Sequence, residues 1–135
     1  MSSGAFKVLS EVLPNFKSSI SDLQEIRNKY LSNIQNLEQK NEAYSYNTSN
    51  LHAIERVNSD LQRKHHSTMK KIESKGRRKD YSYRLSDSDS EEVKEDLNGL
   101  VDDIDDEIKS VRIKRAAFIG FIVLAIVAPI IVSVI

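Results

Sequence analysis

Three imidazoles, His52, His65 and His66, are the side chains best placed to move protons or bind metal near neutral pH. Their spacing argues against both. Adjacent residues on a helix point in different directions, so His65 and His66 cannot close on one ion from one side. No carboxylate stands at an obvious ligand spacing from them. The chain has no Cys, which excludes disulfides, thiolate zinc, iron–sulfur clusters and a Cys nucleophile. No glycine-rich phosphate loop and no Gly-x-Ser-x-Gly elbow occurs. The expectation is a protein that is not an enzyme, with no catalytic residue, no cofactor and no metal, in which His65 softens a helical seam.

Covalent modification is better supported. Ser86-Asp87-Ser88-Asp89-Ser90-Glu91-Glu92 gives Ser86 and Ser88 each an acid three residues on, the pattern that acidophilic kinases accept. A phosphate would add about −1.5 to −2 charge at each. The competing reading is a solvating acidic loop that is never modified. Asn47-Thr48-Ser49 matches the glycosylation sequon and is read as chance, because the topology below places it in the cytosol.

The charges around this segment are segregated. Lys+Arg and Asp+Glu both number 20, which argues against a general nucleic-acid binder. Residues 63–84 nevertheless hold nine bases and two acids, and residues 85–108 hold eleven acids and one base, Lys94. Two readings are open. The blocks neutralise each other in cis, or the basic block touches anionic headgroups or an acidic partner, where each Lys or Arg is worth about 1 kcal/mol.

The elements that carry these residues divide the chain. Of residues 116–135, AAFIGFIVLAIVAPIIVSVI, 17 of 20 are apolar and none is charged. The other 115 residues are under one third apolar, too few for a large core. Twenty helical residues rise about 30 Å, the thickness of a hydrocarbon core. Residues 116–135 are therefore expected to cross a bilayer. Lys109, Arg112, Lys114 and Arg115 flank the span on its N-terminal side. The positive-inside rule then places the N-terminal body in the cytosol. Such a span at the chain end reads as a tail anchor, and its modest length suits the endoplasmic reticulum or an early secretory membrane.

The body reads as helical. Leu9, Phe16, Leu23, Tyr30, Leu37, Tyr44 and Leu51 recur every seven residues. Ile20 and Ile34 belong to a second seam four residues on from the first, as a coiled coil requires. Pro14 is expected in the first turn of this helix, with residues 5–13 a separate short element. After Leu51 the phase shifts through Ile54 and Leu61. That leaves a continuous coil over about 15–74, or a hairpin of helices at about 15–42 and 50–74. Gly76 and the charged run to Glu92 end that unit. A further amphipathic stripe follows: Val93, Leu97, Leu100 or Val101, Ile104, Ile108 and Val111. Asn98-Gly99 is its expected point of kinking, since Gly costs about 1 kcal/mol inside a helix.

The fold class is therefore all-α, a coiled coil or thin helical bundle with a C-terminal single transmembrane helix. Its parts are a coil or hairpin at 1–74, a flexible charged linker at 75–92, a juxtamembrane amphipathic helix at 93–115 and the anchor at 116–135. The expected coil interface is Leu9, Phe16, Leu23, Tyr30, Ile34, Leu37, Leu51, Ile54 and Leu61.

This layout of helical body, heptads and C-terminal anchor resembles that of a SNARE. The resemblance implies a membrane-fusion role as an alternative. It covers the arrangement and not the central Gln or Arg layer, and the run from Ser74 to Glu92 interrupts the register.

The function expected from the sequence is that of a membrane adaptor or scaffold. Its coil self-associates, as a homo-oligomer, or recruits a protein partner for trafficking, tethering or organelle organisation. Its partners are the lipid bilayer and that protein, with no nucleic acid and no small-molecule substrate. A viral membrane-associated structural protein is a further alternative.

Overall fold

The computed structural model describes residues 2–46 and 58–134. Helix α1 spans Ser2–Lys40, helix α2 Ser59–Lys75 and helix α3 Asp87–Val134. Three short strands accompany them: β1 Glu42–Ala43, β2 Arg77–Lys79 and β3 Ser82–Arg84. The helical class holds, and α3 ends in a stretch apolar enough to cross a membrane.

Helix α1 has 39 residues, which rise about 58 Å. Pro14 lies inside it rather than in its first turn, so residues 5–13 belong to the same helix. Proline removes the bond to the carbonyl of Ser10 and weakens the helix there by about 3 kcal/mol. The helix ends at Asn41, which takes a φ of 54° while its N–H bonds the carbonyl of Leu37 at 3.1 Å. Asn tolerates this left-handed conformation better than most residues, and it stops the helix.

The coil expected to continue to residue 74 therefore ends here, and the chain enters β1. The hairpin alternative also changes. Helix α2 starts at Ser59, where the Asn58 side chain accepts from the N–H groups of Asp60 and Leu61 at 3.0 and 3.2 Å. It does not run back along α1. Phe16 meets Phe118 and Arg27 meets Asp105, so α1 is antiparallel to α3. Lys64 meets Asp103 and Lys75 meets Glu92, so α2 is antiparallel to α3 as well. Helices α1 and α2 thus share one direction. The reason is the stripe from Val93 to Val111, which is the surface both other helices cover.

The core follows the heptads. Ile20, Leu23, Ile26, Tyr30, Ile34 and Leu37 of α1 meet Leu61, His65, Met69 and Ile72 of α2 and the stripe of α3. Leu23, Tyr30, Ile72, Val93, Leu97 and Ile104 are fully buried. Burying such a side chain is worth about 1.5–3 kcal/mol, which offsets the weak intrinsic stability of thin helices.

The run at 75–92, expected as a flexible linker, is ordered. Strands β2 and β3 pair antiparallel, with Arg78 opposite Tyr83, and β1 adds to the other edge of β3. Gly76 permits this close return. A Cβ there would lie 2.7 Å from both the Ile72 carbonyl oxygen and Tyr83 Cβ. Helix α3 then starts at Asp87, ahead of the expected position 93, and passes Gly99 without a break. Packing of Leu97, Leu100 and Val101 on both sides of the glycine outweighs its propensity cost.

Candidate membrane anchor and charged surfaces

The apolar half of α3 leaves the core. Of its most hydropathic 18-residue window, 6% is buried. Phe121, Leu124, Ile130, Val132 and Val134 are exposed, while Ile122 is buried and Phe118 half-buried against α1. A stripe facing one partner would leave a polar side toward water, and here every side is apolar. Lys109, Arg112 and Lys114 stand exposed ahead of this stretch, with Arg115 half-buried, and none forms an ion pair among the described residues.

The expected coil interface is turned inward. Leu23, Tyr30, Ile34, Leu37 and Leu61 are buried within the chain's own fold, and Leu9 and Phe16 are half-buried. Leu51 and Ile54 lie outside the described residues, as do His52 and Asn47-Thr48-Ser49. The surface expected to meet a second chain is thus largely covered by α3 and α2.

His65 occupies a core layer rather than a surface. Its Nδ1 shares a hydrogen bond with the Tyr30 hydroxyl, and its Nε2 is buried without a partner among the described residues. Burial, helped by neighbouring His66, pushes the imidazole down to about 4. Burial likewise raises the Tyr30 phenol, with Tyr46 adding to the effect. The pair is a neutral hydrogen-bonded unit inside the bundle, built from α1 and α2.

The two charge blocks meet largely in cis. Lys64 reaches Asp103 at 2.8 Å. Lys71 bridges Asp96 at 2.8 Å and Glu92 at 3.0 Å. Lys75 reaches Glu92 at 2.9 Å and Asp89 at 3.7 Å. Hydrogen bonds to Asp96 and Glu92 raise the Lys71 ammonium, and those from Lys75 and Lys71 lower the Glu92 carboxyl. A groove of about 780 Å³ between α2 and α3 is lined by this ladder, from Asp60 and Lys64 to Asp96 and Asp103. It is open, and Arg63, Lys64 and Lys71 pair with its Asp60, Asp103 and Asp96.

The arginines of the hairpin escape this neutralisation. Arg77, Arg78 and Arg84 are exposed and form no ion pair among the described residues. Lys79 reaches Glu42 at 3.6 Å. Tyr81, at the turn, is 89% exposed, and Asp80 beside it takes a φ of 53°. Ser86 and Ser88 follow at the mouth of α3, both exposed. The Ser86 hydroxyl accepts from the Asp89 N–H at 3.2 Å and lies 3.3 Å from the Ser88 hydroxyl. Ser86 is therefore the N-cap of α3.

Sequence reasoning missed three features of this arrangement. Asn33 is fully buried and clamps Tyr44, donating to its carbonyl at 2.9 Å and accepting from its N–H at 3.0 Å. Arg27 crosses from α1 to Asp105 of α3 at 2.6 Å. The third is the β2–β3 hairpin, in which Ser82 is buried and Tyr81 stands exposed at the turn. No protein-family model, curated protein or solved structure matches the chain.

Proposed function

We propose that this protein is a membrane adaptor or scaffold, anchored by the C-terminal part of α3, that presents its helical body to partners in trafficking, tethering or organelle organisation. The observation that carries this is α3 itself. One uninterrupted helix joins the buried stripe at 93–111 to an all-round apolar stretch that the fold leaves bare. The arrangement couples a folded body to a bilayer, and the three-helix packing supplies recognition surfaces rather than a reaction centre. The basic flank from Lys109 to Arg115 favours a body on the cytosolic side. The modest span favours the endoplasmic reticulum or an early secretory membrane.

The test is membrane extraction. The full chain should resist alkaline extraction from membranes, and deletion of 116–135 should release it. Arg in place of Ile126, near the bilayer centre, should lower insertion by about 2.5–3.5 kcal/mol. A deletion that stays membrane-bound without a membrane partner would contradict the reading.

A fusion protein of the SNARE type is the second reading. One observation favours it, the absence of any break in α3 from Asp87 into the span. Against it, the stripe from Val93 to Val111 is covered by the chain's own helices. A detergent-resistant complex of the full chain with fusion proteins would establish this reading over the adaptor.

A further inference from the structure

We propose that the β2–β3 hairpin is a contact site for an anionic lipid surface opposite the anchoring membrane, so that the protein bridges two bilayers. The proposal rests on the anchoring of α3 and adds a function for the far end of the body.

Position comes first. The hairpin joins the end of α2 at Lys75 to the start of α3 at Asp87, and β1 brings the end of α1 to the same place. From Asp87 to Ala116, α3 rises about 44 Å. The hairpin therefore stands that far from the level at which the apolar stretch begins. A basic patch at that distance is well beyond the Debye length of about 8 Å in physiological salt, and it cannot serve the headgroups around its own anchor.

Charge comes second. Of the lysines of α2, Lys64, Lys71 and Lys75 are matched by Asp103, Asp96, Glu92 and Asp89, and Lys70 forms no ion pair among the described residues. In the hairpin Lys79 reaches Glu42 at 3.6 Å, while Arg77, Arg78 and Arg84 are exposed and have no ion-pair partner among the described residues, so three cations are left over there. The exposed Tyr81 at the turn adds an amphipathic ring of the kind that settles at membrane–water interfaces.

Shape decides between lipid and protein. The depression beside the turn, lined by Glu42, Tyr44, Lys79, Asp80, Tyr81 and Ser82, is about 230 Å³ and open. An acidic peptide would find neither a groove nor an apolar anchor pocket there. A lipid surface needs only exposed cations and an interfacial aromatic ring, and the hairpin presents both.

The experiment uses the full chain reconstituted in neutral phosphatidylcholine vesicles with its body outside, verified by protease access and alkaline extraction. These are mixed with protein-free vesicles containing phosphatidylserine, and docking is read by light scattering and by energy transfer between labelled vesicles. Docking should occur, fade as salt rises, and be absent with neutral target vesicles. Each basic residue at an anionic surface contributes about fivefold, so R77Q/R78Q/R84Q should weaken docking about a hundredfold. Tyr81→Ala should weaken it further. All four positions are exposed, and unchanged helicity by circular dichroism verifies that the variants fold.

Inserted protein that fails to dock anionic vesicles overturns the proposal while leaving the anchor reading intact. Docking that survives the triple substitution, or that extends equally to neutral vesicles, overturns it too. Capture of poly-glutamate through the same arginines without lipid docking would assign the surface to an acidic protein instead. Failure of alkaline extraction resistance would defeat the anchor reading before docking is measured.

Discussion

The Phe16 ring packs against Phe118 with centroids 5.8 Å apart and planes inclined at 48°. This contact sets α1 beside the start of the apolar stretch. Because the helices are antiparallel, residues before Phe16 lie level with residues after Phe118. Ile122 is buried there, and Lys7 and Glu11 are carried along on the exposed side of α1. The same level within a bilayer would place charges in hydrocarbon, where a Lys near the centre of a helix costs about 2.5–3.5 kcal/mol.

Insertion and this packing thus oppose each other, and Pro14 is where α1 is weakest. In membranes, the segment ahead of Pro14 is expected to leave the span and lie along the interface, with Leu9, Val12 and Leu13 toward lipid. The chain has no Trp, so Leu9→Trp gives a single reporter. Its emission should be quenched by spin labels near the headgroups and spared by labels deep in the acyl chains. Deep quenching would show that α1 stays against the span.

The Tyr30–His65 pair predicts an acid sensitivity. The imidazole is held at about 4 in the fold, against 6.5 in a free chain. The unfolded chain therefore binds the proton first, and the contribution is present above pH 6.5. It falls away as pH drops from about 6.5 to 4, by something on the order of 2–3 kcal/mol. Urea unfolding at pH 7 and pH 4.5 should show the loss. The double variant Tyr30→Phe/His65→Leu removes both polar partners, and it should flatten this part of the pH profile. An unchanged profile would assign the acid sensitivity to the carboxylates of α3.

The seam predicts coupling within one chain. Leu23 and Leu97 are fully buried in the same cluster, so Leu23→Ala and Leu97→Ala should each cost about 2–5 kcal/mol. Sedimentation in detergent should show that the folded chain remains a monomer when Leu23 and Leu37 are intact. A dimer that Leu23→Ala dissociates without loss of helicity would restore the intermolecular coil.

The period-seven repeat of α1 was legible because a buried stripe leaves the same pattern whichever helix covers it. For that reason it could not tell a second chain from α3. Leu23, Tyr30 and Leu37 announce burial, and only the antiparallel contacts of Arg27 and Phe16 show by what. The apolar end of α3, long enough to cross a membrane, was plain because uninterrupted apolar composition depends on no partner. The ordered hairpin was hidden behind its charge. Its strands have three residues each, and their stability comes from β1 and from the approach at Gly76, both distant or invisible in a local window. Asn33 carried no signal, since a buried amide that clamps the backbone just after β1 looks like any polar helical residue until Tyr44 is in place.

Ser86 gives the last prediction, because it does two jobs that a substitution can separate. Its hydroxyl caps α3 and it lies in the acidic run suited to a kinase. Ser86→Ala removes the cap and should cost about 1 kcal/mol of stability without adding charge. Asp is as good a cap as Ser, so Ser86→Asp should keep the stability while adding a negative charge near the arginines of the hairpin. Ser88→Asp adds charge without touching the cap. The double Asp variant should therefore melt close to the native protein yet dock anionic vesicles more weakly, and increasingly so at low salt, where charges act over longer distances. Thermal melts and vesicle docking on the same preparations separate the two effects. Weaker docking by Ser86→Ala alone, with the Asp variants unaffected, would mean that the order of the α3 start matters and its charge does not.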